Sequence, residues 1–366
     1  MPLPHAVQKG TTMYLTIYVN DILILSSNLT HINEVKEMFC NRFDMTDLGE
    51  LEHFLNVRVL RTKKFIRMDQ SVYIEKVLAK HAAHLGTSSK TKRTPLPEAA
   101  MDLIGQEARD STPISSDDQA FLDNFPYRSL LGAVLYLSMN TRPDVAYAVG
   151  VLSRFANKVT VVTCQLMVHL MQYLRGTMEK GIKFSGTKFD LHIFSDADWA
   201  GDQLSRRSTT GYVVFAAGGP IAWQSKLQTT VATSSMQSEY QALYAGMQEL
   251  VWLRGVMSEL NMPLSEPTPF FLDSQSAQDL ATNPVYHKRS KHVEIKYHWV
   301  REHVNPEGEY RTAEMCHVDS ENQSADMYTK SLSAPKLEKH VARNLGEKRK
   351  SSSSIRADNS IKRVRR

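Results

Sequence analysis

Residues Leu191 to Asp202 constrain this chain more than any other stretch. Leu191-His192-Ile193-Phe194 reads as a short apolar strand, and it runs straight into Asp196 and Asp198. Two carboxylates two residues apart point to one side if the strand continues. Acids that close an apolar strand need water, a cation or hydrogen-bond donors, because a bare buried carboxylate is costly. Taken alone, such a pair is a solvated strand end. Further acids recur downstream, each at the edge of a well-formed element, and they change that reading.

From Ser235, the positions Glu239, Leu243, Gly246, Leu250, Leu253, Met257 and Leu260 recur at alternating steps of four and three. This spacing predicts a helix opened by Thr233-Ser234-Ser235 as capping residues, with Glu239 on its apolar face. A Glu there needs a metal or cationic groups to receive it. Asp273 closes the apolar run Phe270-Phe271-Leu272, and Ser274 is placed to cap a following helix. Asp326 lies in a short helix after a strand around Met315 to Val318. Four acids at strand and helix ends suit a two-metal cage.

With these motifs in hand, residues 191–332 resemble the ribonuclease H domain of copia-type LTR retrotransposon Pol polyproteins. The matching signatures are Ser195 to Asp202, Ser208-Thr209-Thr210-Gly211-Tyr212-Val213, Ser234-Ser235 with Glu239-Tyr240, and Leu272 to Ala277. Lys291-His292-Val293-Glu294-Ile295 with Tyr297-His298, and Ala325-Asp326, complete the set. The resemblance implies a catalytic and metal-binding tetrad of Asp196, Glu239, Asp273 and Asp326. It implies two Mg²⁺ ions about 3.5–4 Å apart, with Mn²⁺ as a substitute. Asp198 and Asp202 are alternatives that read better as polar loop residues. The family has Asp-Asn where this chain has Asp273-Ser274, which leaves the carboxylate intact.

Upstream, Leu15 to Val19, the turn Asn20-Asp21, and Ile22 to Leu25 predict a buried β-hairpin. It is followed by Asp47-Leu48-Gly49, Phe54-Leu55, Tyr73-Ile74, Thr94-Pro95-Leu96 and Tyr127 to Gly132. Thr141 to Ala146, Leu152 to Phe155 and Tyr173 to Thr177 come next. That order resembles copia-type reverse transcriptases, so residues 13–186 look like the end of a palm, a thumb and a connection. The family carries two adjacent aspartates at the hairpin, and here the first is Asn20 beside Asp21. Its other metal-binding Asp and its fingers are expected upstream of this chain, which implies an incomplete and inactive polymerase remnant. The family's Gly after Phe-Leu is Asn56, a residue that tolerates left-handed backbone.

The resemblance thus implies an α/β (α+β) chain. A truncated palm, thumb and connection would precede a three-layer ribonuclease H-like domain with a mixed sheet. The expected boundaries are 1–100 for the palm and thumb remnant, 101–186 for a linker and helical connection, 187–335 for the ribonuclease H-like domain, and 336–366 for a basic disordered tail. Residues 84–126 read as loop and linker around a short helix. Residues 127–177 show helical periodicity that Arg142-Pro143 should break. The hairpin 212–215 and 221–223 is joined by Ala217-Gly218-Gly219-Pro220, giving a three-stranded meander, then helix, strand, helix, strand, helix.

Charge decides how nucleic acid is to be bound. Of the net +5, residues 341–366 hold nine Lys and Arg against Glu347 and Asp358, so they carry +7 and leave −2 elsewhere. Binding must therefore come from local patches. The segment His287 to His303 offers Lys288, Arg289, Lys291, His292, Lys296 and Arg301. By itself it is a solvated helix face; beside a nuclease centre it becomes a phosphate-contacting surface. Its histidines are poorer ligands for hard Mg²⁺ than carboxylates, and His317 reads as part of a strand. Lys348-Arg349-Lys350 and Lys362 to Arg366 resemble a bipartite nuclear import signal, or form a solvated extension.

Three widely spaced cysteines (Cys40, Cys164, Cys316) suit neither a disulfide framework nor a zinc site, and no run approaches the ~20 apolar residues of a membrane span. The expectation is an intracellular protein, cytoplasmic or nuclear, with RNA–DNA hybrids as partner and no membrane. Other Pol or Gag products of the same element are further candidate partners. The competing reading is a catalytically silent nucleic-acid-binding remnant.

Overall fold

A computed structural model describes residues 5–8, 11–85, 90–186, 188–282, 291–308 and 310–346. Its strands are β1 (His5–Gln8), β2 (Thr11–Tyr18), β3 (Asp21–Ser26), β4 (His53–Phe54), β5 (Val57–Arg61), β6 (Ile66–Asp69), β7 (Gly181–Phe184), β8 (His192–Asp198), β9 (Thr209–Ala216), β10 (Gly219–Leu227), β11 (Thr268–Leu272) and β12 (Ala313–His317). They form two compact units. One comprises Met1–Glu52 with Val251–Glu266, and the other His53–Leu250 with Pro267–Arg366.

In the first unit β1, β2 and β3 make an antiparallel sheet, followed by the helix Leu29–Arg42. Asn28 caps that helix by accepting from the His31 N–H. The Tyr14 hydroxyl donates to the Leu260 carbonyl at 2.6 Å. Two expectations are corrected here. Tyr18 pairs with Asp21, so the turn is Val19-Asn20 and Asp21 opens β3. This register sets Ile17 opposite Ile22 and Leu15 opposite Ile24, at the cost of Val19 in the left-handed region at φ +52°. The hairpin is also half-buried rather than buried, with Leu15, Ile22, Leu23 and Ile24 partly covered and Ile17 and Leu25 exposed. Of the side chains described from Thr12 to Glu52 only Met13 is buried, as befits a small three-stranded sheet with little material to cover it.

In the second unit β4, β5, β6 and β7 form an antiparallel sheet. Leu55 and Asn56 turn between β4 and β5 at φ +49° and +59°, the conformation expected of Asn56. The 127–177 periodicity becomes three helices, Tyr127–Asn140, Ala146–Ser153 and Val161–Gly176. As expected, Arg142-Pro143 ends the first, and a single 3₁₀ turn, Pro143–Val145, leads into the second. Leu130, Leu137, Leu152, Met167 and Leu170 are fully buried between them. Residues 84–126, expected to be loop and linker around a short helix, hold two short helices among the described residues, Ala100–Arg109 and Ser116–Asn124. The helix Ala100–Arg109 buries Ala100 and Ile104, and its Glu107 accepts from the Thr160 hydroxyl and the Val162 N–H, capping the helix Val161–Gly176.

The second sheet has the order β10-β9-β8-β11-β12. β9 is antiparallel to β8 and β10, whereas β11 runs parallel to β8 and β12. This is the mixed sheet expected. The period-two alternation is clear across the pairings. Phe194, Val213, Phe271 and Cys316 join the helical core, while Ile193 and Phe270 meet Gly246 of the helix Ser235–Glu259. Helices therefore cover both faces, giving three layers. The connection between β9 and β10 is narrower than expected, Ala217-Gly218, with Gly219 and Pro220 already in β10. A further helix, Lys291–Val304, precedes β12. The helix Ala334–Asn344 extends order into the stretch assigned to the tail, burying Leu337, His340 and Val341. Residues 347–366 lie outside the described residues. Cys40, Cys164 and Cys316 form no disulfide among the described residues. Among the described residues no helix is long and apolar enough to cross a membrane.

Candidate active site

Parallel pairing of β8 with β11 brings the carboxyl ends of the two strands side by side, with an acid in or directly after each. Asp196 lies in β8 and is 3 % exposed, and Asp273 follows β11 directly. Ser234 caps the helix Ser235–Glu259 by accepting from the Gln237 N–H, which fixes Glu239 one turn into it. One carboxylate oxygen each from Asp196, Glu239 and Asp273 lies within 4.8 Å of the other two. The four-three spacing of the helix and the apolar lead-ins of the strands were the legible signals for this convergence.

The cluster is electrostatically strained as bare carboxylates. Burial raises the pKa of Asp196, against the opposing charge of Lys330, and the Asp326 carboxylate adds to the rise. Burial raises Glu239 too, reinforced by Asp196 and Asp273. Burial and Asp196 raise Asp273, although the Ser320 hydroxyl donates to its Oδ2 at 2.9 Å. Glu239 Oε2 is buried without a hydrogen-bond partner. Buried oxygens of this kind are normally satisfied. Carboxylate oxygens converging on one point are the donor set that hard divalent cations prefer, so these residues fit a divalent metal.

Asp326 stands beside this trio rather than in it. Its Oδ1 meets the Lys330 ammonium at 2.9 Å, and the same ammonium lies 4.0 Å from Asp196 Oδ2. That oxygen also accepts from the Thr329 hydroxyl at 2.6 Å. Burial works against the Lys330 charge, yet Asp196 and Asp326 hold its pKa above the usual lysine range. Lys330 and Thr329 were missed in the sequence. The only local signal was a Lys four residues after an Asp, the spacing of an ordinary helical ion pair.

Asp198 ends β8 and is raised by burial. Asp202 is paired with Arg154 at 2.9 Å and caps Ser205, so it serves the loop. His317 ends β12, as expected of a strand histidine. The fold also rests on an ion pair within the signature Thr141 to Ala146, supported by Tyr173 of the signature Tyr173 to Thr177. Arg142 and Asp144, both with fully buried side chains, meet at 2.7 Å, and the Tyr173 hydroxyl donates to Asp144 at 2.7 Å. Burial alone would raise the Asp144 carboxyl, and Arg142 and Tyr173 hold it below the usual range instead.

Of the basic candidates, Lys288 and Arg289 lie outside the described residues. Lys291 and His292 open the helix Lys291–Val304. Lys296 places its ammonium 5.1 Å above the Tyr244 ring. Arg301 donates through Nε and Nη2 to the Leu280 carbonyl at 3.2 and 3.1 Å, closing the end of the helix Gln275–Thr282. Asn20 and Asp21 are exposed at the hairpin tip of the first unit, far along the chain from the acidic cluster.

Residues 6–98 match the family described as "Reverse transcriptase (RNA-dependent DNA polymerase)". The chain is 34 % identical over 332 residues to the retrovirus-related Pol polyprotein from transposon TNT 1-94 of Nicotiana tabacum, covering 90 % of this chain and 24 % of that protein. It therefore spans about a quarter of that relative's length. An uncharacterized mitochondrial protein of Arabidopsis thaliana is 34 % identical over 241 residues, 66 % of this chain and 94 % of that one. Among solved structures, a ribonuclease H1 in complex with an RNA/DNA hybrid aligns over 38 % of this chain and 93 % of its own, with 14 % identity and a TM-score of 0.29.

Proposed function

The chain belongs to the copia-type retrotransposon Pol family, and from that premise we propose that residues 187–335 act as a ribonuclease H-type endonuclease on the RNA strand of RNA–DNA hybrids. The observation that carries this reading is the meeting of Asp196, Glu239 and Asp273 within 4.8 Å, with Glu239 Oε2 buried and unpartnered. These three would hold Mg²⁺, with Mn²⁺ as a substitute and Asp326 as the adjacent fourth acid. A bound divalent ion supplies Lewis-acid polarisation of a phosphodiester and a water of lowered pKa.

The chain's own groups prepare that chemistry. Thr329 and Lys330 favour the ionised form of Asp196, and Ser320 does the same for Asp273. Rigid strand ends hold Asp196 and Asp273 in place, so little reorganisation accompanies binding. Lys296 and the other basic residues from Lys288 to Arg301 would line the path of the phosphates. Other Pol or Gag products of the same element are natural partners for the remaining surface. The hairpin of Asn20 and Asp21, with the sheet and helices up to residue 186, is read as the reverse transcriptase-like part, and Lys348-Arg349-Lys350 with Lys362 to Arg366 as a nuclear import signal.

A second reading, a silent nucleic-acid-binding remnant, draws on the Lys330 ammonium, which already neutralises part of the acidic cluster. Cleavage separates the two. Purified protein with a hybrid labelled on the RNA strand should cut RNA in Mg²⁺, stop in chelator, and leave double-stranded DNA intact. Asp196→Asn should lower the rate by orders of magnitude with an unchanged circular dichroism spectrum. A folded Asp196→Asn protein that cuts at the wild-type rate overturns the assignment.

A further inference from the structure

Four carboxylates, Asp196, Glu239, Asp273 and Asp326, gather at one end of the mixed sheet, yet they are not equivalent. Asp196, Glu239 and Asp273 share a common point within 4.8 Å. Asp326 does not join them, because Lys330 holds its Oδ1 at 2.9 Å. The same ammonium faces Asp196 Oδ2 at 4.0 Å, on the oxygen that Thr329 also occupies. Lys330 thus sets a positive charge against both Asp196 and Asp326. Asp198 bears on it from β8, and His340 from the helix Ala334–Asn344 lies within its field.

We propose that Lys330 is a tethered cation that divides the acidic cluster. In this arrangement the resting centre takes one divalent ion, on Asp196, Glu239 and Asp273, and admits a second at Asp326 only when Lys330 swings away. The inference rests on the metal-dependent nuclease reading and deepens it. Charge supports it. The quartet carries four negative charges, so two divalent ions neutralise it only if the ammonium leaves, and the second ion and Lys330 compete for the same negative charge. A second dication beside Asp326 would also face Lys330 at contact distance. Geometry supports it as well. Lys330 is tethered four residues from Asp326, and its side chain is 41 % exposed, so water is open to it if it leaves. Lys330 is in this sense a positioning residue. It acts through Asp326 and Asp196, and it sets how many ions the site holds.

The test uses the full chain and Mn²⁺ alone as the probe. Isothermal titration should give one Mn²⁺ per chain for the wild type and for Lys330→Arg, which keeps the charge. Lys330→Gln should bind two, or strengthen a second site at least tenfold, and its electron paramagnetic resonance spectrum should show two coupled ions. Asp326→Asn should retain a single ion. Metal-free Lys330→Gln should also melt below the wild type and recover on adding Mn²⁺. Two ions on the wild-type protein overturn the inference outright, even if Lys330→Gln does not fold. Equal stoichiometry and affinity in wild type and Lys330→Gln overturn it while leaving the metal site standing. No Mn²⁺ bound by any variant overturns both this inference and the nuclease reading.

Discussion

His340 lies on the inner face of the helix Ala334–Asn344, 4 % exposed, with its Nδ1 lacking a hydrogen-bond partner. Burial, with Arg343, Lys339, Lys330 and Lys336 around it, lowers its pKa to about 4 from the ordinary value of 6.5. The folded chain therefore keeps His340 neutral where the unfolded chain is already protonated. Between pH 6.5 and about 4 the unfolded state binds more protons, so stability is lost as pH falls through that window. The loss from this one group is roughly 3 kcal/mol when complete. Urea midpoints at pH 7 and pH 5 should move apart in the wild type and less so in His340→Gln. Equal movement in both would sink the assignment. At the same scale, Lys330 and Thr329 escaped the sequence reading because what gives them a role is a partner brought in by folding, Asp196, more than a hundred residues away.

At the scale of elements, the long helix and the mixed sheet were legible because their signals are local. The apolar runs that lead into Asp196 and Asp273 and the four-three spacing from Glu239 to Met257 are written in adjacent residues. Gly246 falls on that spacing for a packing reason. A Cβ there would lie 2.9 Å from Phe270 Cζ and 3.2 Å from Ile193 Cδ1. Gly255, on the same helix, has nothing within 4 Å of its Cβ position. The two glycines should thus respond oppositely to alanine. Gly255→Ala should stabilise by up to ~1 kcal/mol through helix propensity, whereas Gly246→Ala should destabilise by about 1–3 kcal/mol through overpacking. Thermal melts decide this, and a stabilised Gly246→Ala would contradict the packing described. Residues 84–126 were illegible for the converse reason. Their polar composition signals a loop, and the contacts that order them, Glu107 to Thr160 and Val162, span more than fifty residues. The partial burial of the hairpin was equally hidden, since apolar strands report which residues prefer a core and not how much of the fold covers them.

At the scale of the molecule, the two candidate catalytic regions differ in what they retain. The acidic cluster keeps its carboxylates in register, whereas the hairpin offers Asp21 beside a neutral Asn20 that coordinates Mg²⁺ far more weakly. The 366-residue polypeptide tested alone should therefore fail to extend a primer. Because Asn20 and Asp21 are exposed at the hairpin tip, Asn20→Asp should leave the fold unchanged. Extension by either protein in a gel assay would show that the hairpin is a working centre. The first unit has another property, which follows from its being assembled out of two distant stretches of chain. Tyr14 and Leu260, joined by a hydrogen bond, are 246 residues apart, which at ~5–20 residues per second separates their synthesis by roughly 12–50 s. Throughout that interval the ribosome holds out an apolar hairpin whose remaining segment has yet to be translated. The nascent chain is thus an early client for holdase chaperones, and chaperone crosslinks to residues 12–26 should fade once Glu266 has cleared the exit tunnel. Crosslinks that fade before Val251 is made would mean that the hairpin settles unaided.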